Sequence, residues 1–506
     1  MALFRKEKRT IYVRKIKNFW EEFSHNRIGL AGIGILIFYV MVAVFTPYIS
    51  PMRPTSQEYN PPRSAAMYAM PEWVRIFPQF QDLPPSFEVR LLENVTLVNS
   101  TVTDRATLQF DKEALNITFH ADAEEEEGSI LLHLTAFSYV YAPPSDFKLT
   151  TVYYETGNQI RYEIDLFLTT DQQNDIWDEW LEDPTRAVLY TNDRKVTRYP
   201  SVDKKIRRSL YAGLMNEQLF AWQYPNDAVQ YAFLHPSEML LSKKGSYDFY
   251  LEIKFNSLAS TSTCNIHIDT AEVKFFGDVW GLLGSDRVGH DVWAQLIYGV
   301  RISLIVGSLA AVLSSVLGIS FGVIAGYSGG RTDQIIMRGV DVLLCLPVLP
   351  ILLILSSYWS FNVYYVILLI AIFGWQGLSR IVRSKVLSLK EVPFIESARA
   401  AGATSGYIMT RHIIPNVLPV VMAAMVLAVP GAILTEAALS FLGFGDPSVP
   451  TWGRMLYRSR TQGGFESLAW WYVIPPGLAI TFLCLAFVFI GHALDEIVNP
   501  RLRRRR

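Results

Sequence analysis

The chain contains 506 residues, half of which are hydrophobic, and its mean hydropathy is +0.20. This composition is too apolar for an ordinary soluble enzyme and predicts a membrane protein with more than one domain. The net charge is −1, so the overall charge does not predict nucleic-acid binding. Cys264, Cys345 and Cys484 are far apart and lack metal-ligand spacing, so we expect neither a disulfide framework nor a metal site.

The N-terminal region predicts a short cytoplasmic tail followed by one membrane-spanning helix. Residues 1–27 include eight Lys or Arg residues, and positive charge in short segments tends to stay in the cytoplasm. Residues 28–49 carry no charge and are long enough for an α-helix to cross a hydrocarbon core of about 30 Å. Because this run is too long for a typical cleavable signal and lacks an obvious cleavage site, we expect a retained signal anchor.

Residues 50–280 form a polar and aromatic segment in which short runs alternate between apolar and polar positions. Period-two runs of β-branched and aromatic residues predict strands. We therefore expect a mainly-β extracytoplasmic insertion, folded as a β-sandwich, with a Pro-rich connector over 51–85. Two stretches, 175–182 and 203–218, are predicted to be helical. The strand-like runs are Ala106–Phe110, Ser129–Leu134, Thr150–Tyr154, Tyr247–Lys254 and Ala271–Phe276.

Several features of the insertion have both a functional and a structural interpretation. Asn94, Asn99 and Asn116 each begin an N-glycosylation acceptor pattern, which fits an extracytoplasmic location but is common by chance. The acidic run 122–127 offers ligands for a cation, although consecutive carboxylates more often form a solvated loop. The many Tyr and Trp residues fit either a stacking surface for a sugar or partner, or a packed core, which we favour.

Residues 281–301 are interpreted as an extracytoplasmic lead-in, and residues 302–498 as a transmembrane core. The core contains charge-free runs long enough to span a membrane. One of them, 342–379, is too long for one crossing, and a polar, aromatic turn over 356–362 divides it into two helices. With the first span this gives six transmembrane helices. The charge-free runs are 302–330, 342–379, 416–435 and 467–494.

Basic residues determine the predicted orientation of these helices. The N-terminal tail, the connection between the fourth and fifth helices, and the C-terminal tail 499–506 are rich in Lys or Arg. All three fall on one side of a six-helix path, and Lys and Arg in short loops tend to remain cytoplasmic. Both termini are therefore expected in the cytoplasm.

The connection over residues 391–416 has the pattern of a short surface helix between two spans. Small side chains over 394–404 permit the close approach of a partner, and Gly402 allows the helix to stop because glycine adopts left-handed backbone angles at little cost. Pro415 and Pro419 follow near the start of the next helix, where a missing N–H is tolerated. The pattern predicts a helix-turn-helix on the cytoplasmic face.

This connection resembles the coupling loop of ABC importer permeases, whose motif contains Glu-Ala-Ala, a Gly four residues after the last Ala, and a Leu-Pro pair. Ser397 replaces an Ala of that motif, and His412 stands where an aliphatic residue is usual. Both changes are compatible with the loop geometry. The matching residues are Glu396, Ser397, Ala398, Gly402, Ile414 and Pro415.

Further motifs resemble those of dipeptide and oligopeptide permeases. The resemblance covers residues 28–49 and about 281 to the end, but not the insertion. It implies a C-type permease subunit that works with a second homologous permease, two cytoplasmic ATPase subunits and an extracytoplasmic substrate-binding lipoprotein. ATP and magnesium would be bound by the ATPases, and no cofactor by this chain. The motifs are Leu283–Trp293, Leu296–Leu304, Ala325–Gly330, Arg338–Pro347 and Glu436–Gly445.

We therefore expect a non-catalytic permease subunit of an ATP-driven importer, since the sequence has no Gly-x-x-x-x-Gly-Lys-Ser/Thr phosphate-binding loop. Peptides are the default substrate and oligosaccharides the alternative. A proton-coupled carrier is less favoured, because it should contain more intramembrane acids. Glu436, near the outer end of the fifth span, either lines the translocation path or hydrogen-bonds a neighbouring helix.

Overall fold

The computed structural model describes residues 20–50, 63–102, 105–111, 114–122, 127–170, 187–196, 206–211, 240–241, 243–259, 261–358 and 362–498. The chain divides into two compact units, one of Met1–Pro61 with Val292–Arg506 and the other of Pro62–Asp291. The long α-helices belong to the first unit and the β-strands to the second.

Apolar runs of the first unit form long helices. Asn26 caps the first of these, because its side-chain oxygen accepts a hydrogen bond from the Gly29 N–H at 3.0 Å. The helices are α1 (Arg27–Ile49), α2 (Val292–Ser328), α3 (Gly330–Cys345), α4 (Val348–Tyr358), α5 (Val363–Ile372), α6 (Gln376–Leu389), α7 (Pro393–Ala400), α8 (Ser405–Phe441), α9 (Trp452–Thr461) and α10 (Trp470–Val498).

Four of the described helices, α1, α2, α8 and α10, are long and apolar enough to cross a membrane singly. The predicted hairpin over 342–379 has a different construction. Helices α3 and α4 form one pair bent by 86°, and α5 and α6 form a second pair bent by 41°. The described part of the chain therefore has six spans only if each bent pair is one span. Helices of 10 or 11 residues, such as α5 and α4, are only about 15–17 Å long and cannot cross the hydrocarbon core alone.

Helix α2 begins at Val292, ten residues before the charge-free run on which its prediction rested. Arg301 does not interrupt the helix because its guanidinium donates hydrogen bonds to the backbone carbonyls of Ala43 and Val44 on α1. The Tyr298 hydroxyl lies 3.5 Å from the Ser50 carbonyl, just after α1. These contacts align the start of α2 with the end of α1.

A row of small residues brings α2 and α6 into close contact. Gly318, Gly322 and Gly326 recur every four residues on the face of α2 that packs against α6. A Cβ atom at Gly322 would lie 2.7 Å from the Ser379 carbonyl oxygen, closer than real side chains approach. Small residues at this spacing let membrane helices pack with their backbones close together. They fix α6, and with it the segment that follows.

The second unit contains two antiparallel sheets. Among the described strands, one sheet has the order β3-β4-β11-β6-β9, with β1 also paired to β11, and the other has the order β2-β5-β10-β7-β8. The strands are β1 (Phe87–Arg90), β2 (Thr96–Ser100), β3 (Ala106–Asp111), β4 (Ala114–Ala121), β5 (Glu127–Tyr139), β6 (Asp146–Asn158), β7 (Ile160–Thr170), β8 (Ala187–Val196), β9 (Ile206–Tyr211), β10 (Gly245–Ser257) and β11 (Ser262–Phe276).

Aromatic and aliphatic side chains of both sheets fill one shared core. Phe119 of β4 stacks on Phe255 of β10 with ring centroids 4.6 Å apart, and Phe137 of β5 lies 6.0 Å from Phe275 of β11. Each contact joins one sheet to the other, so the unit is a β-sandwich. Tyr139 and Tyr247 are also fully buried, which agrees with the core interpretation of these aromatics.

The predicted strands of the insertion are confirmed, since every strand-like run lies within a strand. The helix predicted over 203–218 is wrong at Ile206–Tyr211, which forms β9 because it pairs with the edge of β6. The helix predicted over 175–182 lies outside the described residues, as do residues 123–126 of the acidic run. Asn94 and Asn99 are exposed, whereas Asn116 contacts His267.

Candidate functional site

Residues 391–416, which follow α6, form a short helix, a turn and the first part of α8; we call them the coupling segment. Helix α7 begins at Pro393, whose fixed φ suits the first helical position and whose missing N–H is needed by no intrahelical bond. Glu396 lies in its first turn, where a carboxylate interacts favourably with the helix dipole. The Ser397 hydroxyl donates a hydrogen bond to the Pro393 carbonyl at 2.9 Å.

Gly402 ends α7 through its backbone conformation. Its φ is +84°, which only glycine adopts without strain. The Gly402 N–H donates to the Arg399 carbonyl at 3.0 Å, and the Ala403 N–H donates to the Ala398 carbonyl at 3.1 Å. This pair of bonds is a Schellman motif, which satisfies carbonyls at the helix end and reverses the chain direction. The helix stop predicted at Gly402 is therefore confirmed.

The inner side of α7 is held on the helical core. Ile395 is fully buried in a cluster that includes Val382 and Val386 of α6 and Val323 of α2. Ala398 packs against the same cluster. The side chains of Ile395 and Ala398 thus connect α7 to α6 and α2 through one packed cluster.

The outer side of α7 presents small and polar groups to solvent. Glu396, Ser397, Ala400, Ala401 and Gly402 are all exposed. Nothing lies within 4 Å of the position that a Cβ atom on Gly402 would occupy. Phe394 and Arg399 are also exposed on α7, so it is the small residues at its end that let a partner backbone approach closely.

The start of α8 explains how the chain passes Pro415. Residues Met409–Ile413 form one π-helical turn between the first turn of α8, capped by Thr404, and its long apolar part. A proline removes one backbone donor, and a wider turn accommodates that loss without ending the helix. Ile414 and Pro415 therefore lie inside a continuous helix.

Two ion pairs connect α3 to α6 just before the coupling segment. The Arg383 guanidinium donates two hydrogen bonds to the Asp333 carboxylate, one of them 2.6 Å long, and this pair is partly buried. Arg380 and Asp341 form a second pair at 2.5 Å, but both of its side chains are half-exposed. Sequence reasoning missed the first pair, because its two residues lie on helices that are separated along the chain by α4 and α5.

Glu436 lies in α8 far from the coupling segment in sequence and is only 3% exposed. The Ser440 hydroxyl donates a hydrogen bond to its carboxyl oxygen at 2.6 Å, and Thr451 is a second side-chain partner. The structure therefore does not bring Glu436 together with Glu396 and Gly402. Through its contacts with Ser440 and Thr451, the Glu436 side chain joins the end of α8 to the start of α9.

Among the described residues, no group of three or more His, Cys, Asp or Glu side chains is arranged to hold a metal ion. The features that can act are mechanical: an exposed small helix, a glycine-dependent turn, and a packed inner face. Together with several apolar helices, they define a multi-pass helical membrane protein with an exposed connection between spans.

Two family models match the helical part of the chain. The model described as binding-protein-dependent transport system inner membrane component matches residues 318–504. The model described as the N-terminal TM domain of oligopeptide transport permease C matches residues 16–70. The chain belongs to the family of binding-protein-dependent transport system inner membrane components, and is a non-catalytic permease subunit.

Curated relatives share the same part of the chain. A protein of Brucella ovis named as a peptide permease is 38% identical over 219 residues, which are 43% of this chain and 72% of that protein. The dipeptide transport system permease protein DppC of Bacillus subtilis is 35% identical and is covered over 70% of its length by 45% of this chain. The oligopeptide transport system permease protein OppC of the same organism is 34% identical, with 73% of its length covered by 45% of this chain.

Proposed function

We propose that this chain is a permease subunit of an ATP-driven peptide importer. A second homologous permease completes the translocation path, and two cytoplasmic ATPase subunits drive the pair, with the coupling segment of this chain as its contact to an ATPase. The exposed face of α7 supports this proposal most directly, because it is firmly attached to α6 on one side and open to a partner on the other. ATP and magnesium are bound by the ATPase partners.

The orientation follows from the charge distribution. The coupling segment and the helix before it carry basic residues, as do both tails, and such residues favour the cytoplasmic side. With six spans, the termini and the coupling segment lie in the cytoplasm, and the β-sandwich lies outside. A delivering substrate-binding lipoprotein would reach the outer side, where the sandwich is available for contact with it.

The energy-transfer step is mechanical. Closure of the ATPase pair displaces α7, and the buried contacts of Ile395 pass this displacement to α6 and α2. The glycine row between α2 and α6 keeps these helices together, so they move as one body. Glu396 faces solvent on α7, where it is positioned to pair with a basic group of the ATPase.

Peptides are proposed as the substrate because relatives in two organisms are named as peptide, dipeptide or oligopeptide permeases. Oligosaccharides remain the alternative, since the coupling segment determines how transport is driven but not what is carried. Binding of a peptide library and an oligosaccharide library to the cognate lipoprotein distinguishes the two. Tight binding of sugars with no binding of peptides would refute the peptide assignment.

Affinity purification of the full chain from its native membrane tests the machinery. We expect a second permease and an ATPase with a phosphate-binding loop to co-purify, and uptake by reconstituted vesicles to require ATP. Uptake that persists without ATP and follows a proton gradient would instead support a proton-coupled carrier.

A further inference from the structure

Helix α9 carries an unusual concentration of positive charge. Its ten residues, Trp452–Thr461, include Arg454, Arg458 and Arg460 and no acidic residue. The Thr451 side chain caps the helix by accepting from the Arg454 N–H at 3.2 Å. The helix is therefore well defined, and its arginines are held on a fixed scaffold.

Arg454 is partly buried without a carboxylate partner. Its guanidinium donates a hydrogen bond to the Asp446 backbone carbonyl at 3.1 Å. The Asp446 carboxylate is already engaged, since it accepts from the N–H groups of Val363 at 3.0 Å and Ser448 at 2.8 Å. Burial, and then the nearby Arg458, lower the pKa of Arg454 to about 10, although the charge of Asp446 acts in the opposite direction. A second positive charge thus makes an already desolvated cation less favourable.

Arg458 follows Arg454 by one helical turn, so the two side chains share a face of α9. Arg458 is also partly buried. Within the described part of the chain, no carboxylate oxygen lies within 4.0 Å of either guanidinium. Arginine is rarely buried unless paired, and like charges one turn apart destabilise a helix. The pair is therefore an arrangement that a bound anion would stabilise.

Arg460 has different surroundings on the same helix. It is exposed, and its guanidinium lies over the Phe441 ring at 4.7 Å and near the Tyr457 ring at 6.0 Å. Aromatic faces stabilise a cation without an anion. Arg460 therefore needs no bound anion and serves as the control for Arg458 on the same helix.

Helix α9 lies at the end of the helical unit that is opposite to the coupling segment in the order of the chain. The Trp452 indole N–H donates to the Leu296 carbonyl at 2.9 Å, near the start of α2. Helix α9 also follows the end of α8 that is remote from the coupling segment. In the proposed orientation this end is extracytoplasmic, where short loops normally contain few basic residues.

We propose that Arg454 and Arg458 bind an oxyanion group, a carboxylate or a phosphate. The guanidinium fork matches both groups. One source is the C-terminal carboxylate of a peptide entering the path, and that source rests on the proposed function. The other is the phosphate of a lipid headgroup at the membrane surface, which does not depend on what is transported.

Thermal unfolding of the purified full-length chain in a neutral detergent tests the site. One arm adds phosphatidylglycerol and compares it with phosphatidylcholine; the other adds a tripeptide with a free C-terminal carboxylate and compares it with the same tripeptide amide. We expect at least one anionic probe to raise the Tm of the wild type and of Arg460→Gln. The shift should fall by half or more in Arg458→Gln and be partly restored in Arg458→Lys.

The arms separate the two sources. A shift with phosphatidylglycerol alone assigns a lipid phosphate, and a shift with the free-carboxylate tripeptide alone assigns a substrate carboxylate. Equal shifts in the wild type and Arg458→Gln, equal losses in Arg460→Gln and Arg458→Gln, or no shift in the wild type would overturn the proposal. If Arg458→Gln does not fold, the ligand-induced Tm shift of Arg458→Lys is compared with that of the wild type and of Arg460→Gln. The proposal predicts a smaller shift in Arg458→Lys than in the other two proteins. Because the lipid arm requires no transport, failure of the proposed function leaves it intact.

Discussion

The helical unit and the β-sandwich place their large apolar side chains differently. On α1, Phe38 and Ile37 are more than half exposed, as expected of a helix that faces lipid. In the sandwich, Phe249 and Phe275 are completely buried. The helical unit therefore depends on its surroundings for stability, whereas the sandwich contains its own core.

This difference indicates a division of roles between the two units. Most of the sequence that matches the transport family lies in the helical unit, and the two family models leave residues 71–317 between them. A self-contained sandwich inserted in a loop adds a surface without altering the packing that connects α7 to α6 and α2. We therefore expect changes in the two units to have separable effects.

The largest expected effect comes from Gly402→Glu. A side chain at φ +84° is strained, and a bulky carboxylate would occupy the face where a partner is proposed to bind. We expect this substitution to abolish transport while leaving the protein in the membrane, because backbone strain adds to the loss of the partner contact. The measurement is ATP-dependent uptake at equal amounts of membrane-inserted protein.

Gly406→Ala is the matched control for this substitution. Gly406 is exposed in the same segment, its backbone is helical, and nothing lies within 4 Å of the position that a Cβ atom there would occupy. Uptake should remain near the wild-type level. An equal loss of uptake in both variants would contradict a specific role for Gly402, because it would show that any substitution in the segment impairs transport.

The second prediction concerns the sandwich alone. Phe249→Ala should destabilise it by about 3–5 kcal/mol, because a fully buried ring is replaced by a cavity. Burial raises the pKa of the Cys264 thiol to about 12, so this thiol reacts with maleimide only after the unit opens. In a chain lacking the other two cysteines, labelling of Cys264 should accelerate by about 100-fold or more.

Phe110→Ala is its control, because that ring is 50% exposed at the end of β3. It should change the labelling rate only slightly. Similar acceleration by both substitutions would contradict a single shared core.

A smaller effect is expected at the α2–α6 contact. Gly322→Ala should lower stability by about 1–3 kcal/mol, because its methyl group meets the Ser379 carbonyl at 2.7 Å. Gly339→Ala on α3 has open space and should be neutral or slightly stabilising. The Tm values of both variants in detergent test this, and an unchanged Tm for Gly322→Ala would mean that the helices separate readily.

The last prediction compares the stability that is lost when each of the two α3–α6 ion pairs is removed. Asp333→Asn removes a two-bond contact to Arg383 that is partly buried, and should cost about 1.5–3 kcal/mol. Asp341→Asn removes a half-exposed pair and should cost less than about 1 kcal/mol. Equal losses of Tm would show that burial does not distinguish them.

Sequence patterns predicted the local features of this molecule better than its long-range ones. The strand runs were visible because side chains alternate across a sheet, and the α7 stop was visible because Gly402 has a specific backbone role. The 86° bend between α3 and α4 was not predicted, since hydropathy reports length but not direction. The Asp333–Arg383 pair joins residues 50 positions apart, and one sequence does not reveal which charges meet.

Cross-linking from α7 tests the central claim most directly. A photoreactive amino acid in place of Ala400, which is exposed on α7, should cross-link to the ATPase in the assembled transporter. The same group in place of Leu282, exposed in the other unit, should not. Absence of an ATPase adduct from position 400 in a complex that retains ATP-driven uptake would contradict the account.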